Sequence, residues 1–226
     1  MSSMRRRSEI VFLYACSTFV ALLLSAIIVE AVGANWTDVW NSLLDGSLRK
    51  PGRWGKTLGA AVPMAMVAVG TIISTKVGLI NIGQEGQMLV GAAFAAYVGA
   101  HAPGPGPIVI SLVIIGGFVG GAFWSGLAGA LRYWRNVPEV LSTLLLVTVA
   151  ANLVGYALKN TWLLLDPDAA FGNRALVSKQ LDPDSRLPRI EIFGNNFSLS
   201  VIVALFLIFL TTWVLSKTII GFKLNV

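Results

Sequence analysis

Charged residues are rare in this sequence, and long uncharged stretches separate them. Twenty residues without a charge lie between Glu9 and Glu30, and no Asp, Glu, Lys or Arg occurs between Glu85 and Arg132. A helix needs about 20 apolar residues to cross the hydrocarbon core of a bilayer. Only 12% of the 226 residues are charged, whereas soluble domains carry about 25%. The sequence therefore predicts an integral membrane protein and excludes an ordinary soluble domain.

The positions of the charges predict an all-α, polytopic membrane protein with about six transmembrane helices in a single domain, residues 1–226. Each predicted span is bounded by charges or by turn-forming residues, such as the Pro- and Gly-rich run that follows His101. The predicted spans are 10–29, 57–75, 79–100, 108–131, 140–158 and 197–216. The polar segment 159–196 between the last two spans is predicted to be an extracytoplasmic loop.

The N-terminus is predicted to lie in the cytoplasm, because Arg5, Arg6 and Arg7 precede the first span. The first apolar run is too long for a secretory signal, whose core is about 7–15 residues, so we expect it to remain uncleaved. Under this topology eight basic residues face the cytoplasm and nine face outward, so charge alone does not decide the orientation. The net charge of +6 fits anionic lipid headgroups in the bilayer, and nucleic acid is not an expected partner.

The segment 34–54 contains Trp36, Trp40 and Trp54. Tryptophan is enriched at membrane–water interfaces, because its ring is apolar and its N–H is polar. We therefore predict that this segment is an amphipathic, interfacial piece that follows the first span.

The sequence offers no set of residues for covalent or metal chemistry. Cys16 and His101 are the only cysteine and histidine, so neither a disulfide nor a metal cluster is expected. A phosphate-binding Gly-x-x-x-x-Gly-Lys loop and a Gly-x-Ser-x-Gly nucleophile elbow are both absent from the sequence. We predict a protein that is not an enzyme and binds no metal or cofactor, so any ATP would be bound by partner subunits.

A polar segment containing three glycines interrupts the apolar pattern where the third span begins. The residues from 78 to 87 read Gly-Leu-Ile-Asn-Ile-Gly-Gln-Glu-Gly-Gln. The fifteen residues 86–100 are too few to cross a bilayer, so the polar segment is expected at membrane depth. Polar groups are tolerated there when they line a cavity, and broken helices are the usual device. We predict a broken or re-entrant segment near 78–87, with break glycines Gly78, Gly83 and Gly86 and pathway-lining side chains Asn81, Gln84, Glu85 and Gln87.

Two local structures are open for this segment. If it is helical, the spacing of three and four residues places Asn81, Gln84, Glu85 and Met88 on one face. Alternatively, a helix begins after Lys76 at the cytoplasmic surface, where Glu85 would lie near the helix N-terminus and interact favourably with the helix dipole.

The fifth predicted span begins with a helix-capping pattern and continues with polar residues. Asn136 fits the N-cap, Pro138 the first turn, and Glu139 the position of a capping box. Polar side chains then recur along the helix, which is typical both of pore lining and of hydrogen bonding between helices. We predict a second pathway-lining set that consists of Glu139, Ser142, Thr143 and Asn152.

The fourth predicted span carries a small residue at every fourth position. Such a row lets a neighbouring helix approach closely, because small side chains keep the two backbones near each other. We predict helix packing, and no binding role, for Gly117, Gly121, Ser125 and Gly129.

Two segments resemble the permease subunits of bacterial ABC importers for simple sugars and nucleosides, of the ribose-type, branched-chain-amino-acid-permease-like family. The segments are Asn81-Ile-Gly-Gln-Glu-Gly-Gln87 and Asn136-Val-Pro-Glu-Val-Leu-Ser-Thr143. They occur at a similar separation in that family, and the resemblance extends over essentially the entire chain. It implies a subunit that forms the translocation pathway for a nucleoside or simple sugar in the bacterial plasma (inner) membrane.

The resemblance also implies partners. These are cytoplasmic ATPase subunits, a second permease in a homo- or heterodimer, and an extracytoplasmic substrate-binding protein or lipoprotein. Permeases of this family continue after a sequence like Gly221-Phe-Lys-Leu224 into a coupling helix and further spans, so this sequence is expected to correspond to their N-terminal part. The alternative function is a self-contained channel or ion-coupled secondary transporter that uses Glu85 as an intramembrane site.

Overall fold

The structure is a computed structural model that describes residues 2–167, 177–192, 194–218 and 221, with side chains from Glu9 onward. Seven α-helices are described: α1 Ser2–Ala31, α2 Trp36–Leu44, α3 Arg53–Lys76, α4 Gln84–His101, α5 Gly106–Arg135, α6 Glu139–Ala157 and α7 Leu199–Lys217. A π-helix at Asp45–Arg49, a 3₁₀ turn at Pro183–Ser185 and a two-stranded sheet of β1 Arg189–Ile192 and β2 Asn195–Ser198 complete the elements. Residues 168–176 of the predicted loop and 222–224 of the family-like sequence lie outside the described residues.

The predicted class of all-α polytopic membrane protein is confirmed. Five of the described helices are long and apolar enough to cross a bilayer: Glu9–Ala31 within α1, and then α3, α5, α6 and α7. Their apolar side chains point away from the protein, as Phe118 and Phe209 show with exposed fractions of 76% and 68%. Lipid, rather than water, is the environment in which such surfaces are stable.

The third predicted span, 79–100, differs from the structure. Residues 77–83 are not helical, and α4 begins only at Gln84. The 18 residues of α4 extend over about 27 Å. Because its first turn carries polar side chains, α4 is not among the five helices that are apolar enough to cross a bilayer by composition alone. The predicted break is therefore a non-helical segment of seven residues followed by a helix with a polar start.

Residues Met1–Thr57, together with Ile192–Asn195, form one compact unit. Within it, Asn35 caps α2, because its side-chain oxygen accepts the backbone N–H of Thr37 at 2.9 Å. Trp36 and Trp40 lie one turn apart on α2, with ring centroids separated by 5.8 Å. The predicted amphipathic segment after the first span therefore contains a capped helix with its tryptophans on one face.

Helices α4, α5 and α6 pack together in a second compact unit, which comprises Leu58–Glu191 and Asn196–Val226. Its apolar core takes one residue from each helix, namely Val90, Trp124 and Ala150. The indole N–H of Trp124 donates to the backbone carbonyl of Leu146 at 3.2 Å, so the buried ring is also satisfied as a hydrogen-bond donor. This core packs α4 against α5 and α6 just after the end of the polar segment 78–87.

The predicted packing row on α5 falls into two environments. A Cβ atom added at Gly117 would lie 3.4 Å from the Cβ of Ala95, and one at Gly121 would lie 3.5 Å from the carbonyl of Gln87. Both glycines therefore face α4. Ser125 is exposed, and Gly129 has no described atom within 4 Å of an added Cβ. A row with a spacing of four residues drifts around a helix of 3.6 residues per turn, so it leaves the contact face after a few turns.

Candidate functional site at the break between α3 and α4

The break begins with a glycine that ends α3. Gly78 has a φ angle of +76°, a backbone conformation that residues with a side chain rarely adopt. The N–H of Gly78 donates to the carbonyl of Thr75 at 3.0 Å, and that of Leu79 to the carbonyl of Ser74 at 2.9 Å. These two bonds form a Schellman motif, which satisfies the last carbonyls of the helix. Gly78 therefore redirects the chain away from the axis of α3.

Asn81 organises the end of the break. Its side-chain oxygen accepts the backbone N–H of Gly83 at 2.8 Å, which is the hydrogen bond of an Asx turn. The carboxamides of Asn81 and Gln87 also face each other, with two N···O distances of 3.4 Å. Asn81 thus precedes α4 and is not on a common helix face with Gln84, so the helical interpretation of this segment is wrong.

Two backbone amides of the break face side chains of α6. The N–H of Ile82 donates to the hydroxyl of Thr143 at 3.4 Å, and the N–H of Ile80 lies near the carboxylate of Glu139. Alternate amides point to the same side in an extended backbone. The segment therefore runs along the first turn of α6. Side-chain oxygens of α6 take the place of the carbonyl oxygens that a neighbouring strand would offer to these N–H groups.

The glycines at the start of α4 allow close contact with α6. A Cβ atom added at Gly83 would lie 2.9 Å from the Cβ of Thr143. One at Gly86 would lie 3.0 Å from the Cα of Val147 and 3.3 Å from the indole nitrogen of Trp124. Both glycines are buried, so they permit direct backbone contact between α4 and α6.

The turn between α5 and α6 supplies a further partner for Glu139. Arg132, in the last turn of α5, forms an ion pair with the Glu139 carboxylate.

Asn136 closes α5 with a φ angle of 52°, and its N–H donates to the carbonyl of Arg132 at 3.0 Å. The N-cap of α6 is Pro138. The predicted N-cap role of Asn136 is therefore wrong, because this residue ends the preceding helix in the left-handed conformation that Asn tolerates.

The structure separates the second predicted set of pathway residues. Ser142 and Thr143 are each 4% exposed, and their hydroxyls donate to the carbonyl of Glu139 at 3.2 Å and 2.6 Å. Asn152 is exposed and donates to the carbonyl of Thr148, one turn earlier in its own helix, at 2.8 Å. Glu139 and Thr143 thus contact the break, whereas Asn152 lies more than two turns away along α6.

Two of the predicted side chains at the break differ in environment. Glu85 is exposed in the first turn of α4, where the helix dipole favours a negative charge. The helix begins at Gln84, however, and not directly after Lys76 as the second local interpretation had it. The side-chain nitrogen of Gln84 is buried and has no hydrogen-bond partner among the described residues. A buried donor of this kind normally has an acceptor.

Sequence reasoning missed three features of the site. The first two are the contacts of the Ile80 and Ile82 backbone amides with α6, which no residue type indicates. The third is the ion pair of Arg132 with Glu139, which depends on the turn between α5 and α6. A basic residue seven positions before Glu139 was the one available hint.

Comparison with protein-family models matched residues 55–226 to the family described as the branched-chain amino acid transport system permease component. A guanosine ABC transporter permease protein of Bacillus subtilis is 26% identical over 210 residues, which cover 91% of this chain and 58% of that protein. A nucleoside ABC transporter permease protein of Lactococcus lactis is 28% identical over 212 residues, which cover 90% and 56%. A glucose ABC transporter permease protein of Haloferax volcanii is 29% identical over 143 residues, which cover 63% and 38%.

The chain spans between about two fifths and three fifths of the length of these curated relatives. No solved structure matched the chain. The family match covers most of the sequence and includes the whole break, α4 and the first turn of α6. The chain therefore belongs to the family of branched-chain amino acid transport system permease components.

Proposed function

We propose that the chain forms part of the translocation pathway of an ABC importer that takes up nucleosides or simple sugars. The observation that carries this proposal is the break at 77–83, which brings polar groups into a set of otherwise apolar helices. Non-helical backbone at membrane depth is tolerated where it is buried in protein or lines a water-filled cavity. The relatives named as guanosine, nucleoside and glucose permeases support the substrate class.

The side chains at the break suit a ligand rich in hydroxyl or ring nitrogen groups. Asn81, Gln84 and Gln87 each carry a carboxamide, which donates and accepts hydrogen bonds. The Asn81–Gln87 distances of 3.4 Å exceed the usual N–H···O range of about 2.7–3.2 Å, so a ligand can replace these bonds at little cost. A ligand oxygen would also satisfy the buried nitrogen of Gln84. Such contacts give weak binding, which favours release after passage.

Uptake against a gradient requires an energy source outside this subunit. In the proposed importer, cytoplasmic ATPase subunits bind and hydrolyse ATP, and a second permease completes the pathway. An extracytoplasmic binding protein or lipoprotein delivers the substrate, and the complex lies in the bacterial plasma membrane. The names of the relatives as ABC transporter permeases support this arrangement.

The proposal is tested by removing the carboxylate of Glu85 in the complete transporter complex. We expect Glu85→Ala to reduce uptake of labelled nucleoside or sugar, because this substitution removes the one charged group among the four predicted side chains at the break. Asp38→Ala is the matched control, because Asp38 is likewise an acidic residue in the first turn of a helix, α2. Assembly of both variants is measured by co-purification of the ATPase subunits.

Two outcomes would contradict the proposal. Unchanged uptake by a fully assembled Glu85→Ala complex would remove Glu85 from the pathway. Uptake by the chain alone in vesicles, driven by a proton or sodium gradient without ATP, would identify an ion-coupled carrier instead.

A further inference from the structure

We propose that Glu139 and Thr143 are positioning residues that hold the break at 77–83 against α6 and so orient Asn81 and Gln87, without contacting the substrate themselves. The consequence for uptake rests on the proposed function, since the orientation of the two carboxamides matters only if they lie on the pathway. The contact itself is independent of substrate and can be measured without transport.

The spacing of the two contacts fits the geometry of both elements. Glu139 and Thr143 are four residues apart on α6, a rise of about 6 Å along a helix. Ile80 and Ile82, whose amides face them, are two residues apart in a non-helical segment, a rise of about 6.5 Å in extended backbone. One helix face therefore accepts two alternate amides without distortion of either element.

The side chain of Thr143 is already committed to the protein. Thr143 is 4% exposed, and its hydroxyl hydrogen is used by the carbonyl of Glu139 at 2.6 Å. A hydroxyl that donates in one direction retains lone pairs for an acceptor role in another. Here the lone pairs accept the N–H of Ile82 at 3.4 Å, a long hydrogen bond, and the buried hydroxyl offers little to a passing substrate.

Glu139 is committed in the same way. Its side chain is 23% exposed, forms an ion pair with the guanidinium of Arg132, and lies near the N–H of Ile80. A carboxylate accepts at both oxygens, so it can serve both at once. The ion pair fixes the carboxylate from the α5 side, and the carboxylate fixes the break from the α6 side.

Asn81 lies between Ile80 and Ile82 in the sequence. The contacts of these two amides with α6 therefore affect the direction of the Asn81 side chain. An amide that loses its acceptor must find another one, either water or a carbonyl reached by a shift of the segment. Turning residues 80–82 changes the direction of the Asn81 side chain and breaks its contacts with Gly83 and Gln87. Glu139 and Thr143 therefore control the pair of carboxamides from a distance.

The contact is tested by hydrogen–deuterium exchange of the full chain in nanodiscs, followed in peptides that cover residues 77–83. We expect Thr143→Val, which keeps the shape but loses the acceptor, to speed exchange of the Ile82 amide roughly fivefold to tenfold, as loss of one hydrogen bond predicts. Thr143→Ser should restore slow exchange. Thr212→Val is the matched control, because the Thr212 hydroxyl donates to the carbonyl of Ile208 within α7.

Glu139→Gln provides a second, independent variant. The carboxamide keeps an oxygen acceptor but loses the charge that pairs with Arg132, so we expect a smaller increase of exchange, located at Ile80. Unchanged exchange at 77–83 in both Thr143→Val and Glu139→Gln would overturn the proposal. An equal increase in peptides from the α5 core would also overturn it, because it would indicate a general loss of packing.

Uptake by the complete complex then connects the contact to transport. We expect Thr143→Val to lower uptake severalfold and Thr143→Ser to recover it, in parallel with exchange. Normal uptake despite fast exchange at 77–83 would overturn the positioning role. If the unmodified complex takes up neither nucleoside nor sugar while the exchange pattern is as expected, the proposed function fails and the contact between the break and α6 is supported.

Discussion

Helix α4 is held on two sides by contacts of opposite chemistry. Towards α5 the closest contact is between glycine backbones, since a Cβ atom added at Gly91 would lie 2.9 Å from the carbonyl oxygen of Gly117, and apolar side chains such as Phe94 pack beside it. Towards α6 the amides of Ile80 and Ile82 at the preceding break face side-chain oxygens, and that of Ile82 donates a hydrogen bond. The closest approach to α5 is thus limited by volume, whereas the contact of the break with α6 includes a hydrogen bond to a side chain.

The difference follows from the state of the backbone. Within α4 and α5 every interior amide is satisfied by its own helix, so close approach can stabilise the pair through van der Waals contact alone. In the break the amides of residues 77–79 still bond to α3 and that of Gly83 bonds to Asn81, whereas the amide of Ile82 is satisfied from α6. The contact between α4 and α5 is therefore sensitive to added side-chain volume. The contact between the break and α6 is sensitive to the loss of a side-chain oxygen.

The largest effect is expected at the glycine interface. Gly91→Ala should lower the free energy of unfolding by about 2 kcal/mol, because the added methyl group meets backbone on α5, which cannot rotate away. Denaturant titration in detergent micelles measures the change. Gly129→Ala is the control, since no described atom lies within 4 Å of its added Cβ, and it should cause no loss. Equal losses for both variants would show that the α4–α5 contact is not specific.

A smaller effect is expected where the break meets α6. In Gly83→Ala the new methyl group lies 2.9 Å from the Cβ of Thr143, but the short non-helical segment can shift, so we expect a loss of about 1 kcal/mol. Amide exchange at 77–83 should rise at the same time. Gly126→Ala, with open space around its Cβ among the described residues, is the control. A loss of stability as large as that of Gly91→Ala would mean that the break is as rigid as the helix pair.

The smallest effect is expected at the turn that presents Arg132 to Glu139. Asn136 has a φ angle of 52°, and Ala adopts this conformation less readily than Asn, so Asn136→Ala should cost less than about 1 kcal/mol. Asn136→Gly should be neutral. The measurement is the same denaturant titration, with exchange at Ile80 as a local readout. If Asn136→Ala leaves both unchanged, the turn does not contribute to holding the break.

Much of the fold follows from the distribution of charged residues. Five helices lie close to predicted spans, because a run of about 20 apolar residues has few stable alternatives to a helix in a bilayer. Within the third predicted span, 79–100, the helix begins five residues after the start of the span. Length suggested that it began near residue 79, but Gly78 and the Asx turn of Asn81 hold the chain out of the helix until Gln84.

The site was predicted more by residue type than by arrangement. The sequence singled out Asn81, Gln87, Glu139 and Thr143, and the structure places Asn81 within the break, Gln87 in contact with Asn81, and Thr143 in contact with Ile82. The arrangement of Glu139 and Thr143 differs from the predicted lining of a pathway, because both face backbone amides of the break. Contacts with backbone amides cannot be predicted from residue types. Asn152 shares the residue type but lies elsewhere on α6.

The sequence by itself determined that the chain crosses a bilayer several times and that a polar, glycine-containing segment interrupts it. Both conclusions depend on the local cost of burying charge or exposing apolar surface, which can be read residue by residue. Only the tertiary structure decided that Asn136 ends α5 and that α6 supplies the partners of the broken backbone. Those pairings join residues about 60 positions apart, from 82 to 143, and their formation depends on the packing of Val90, Trp124 and Ala150 that brings the helices together.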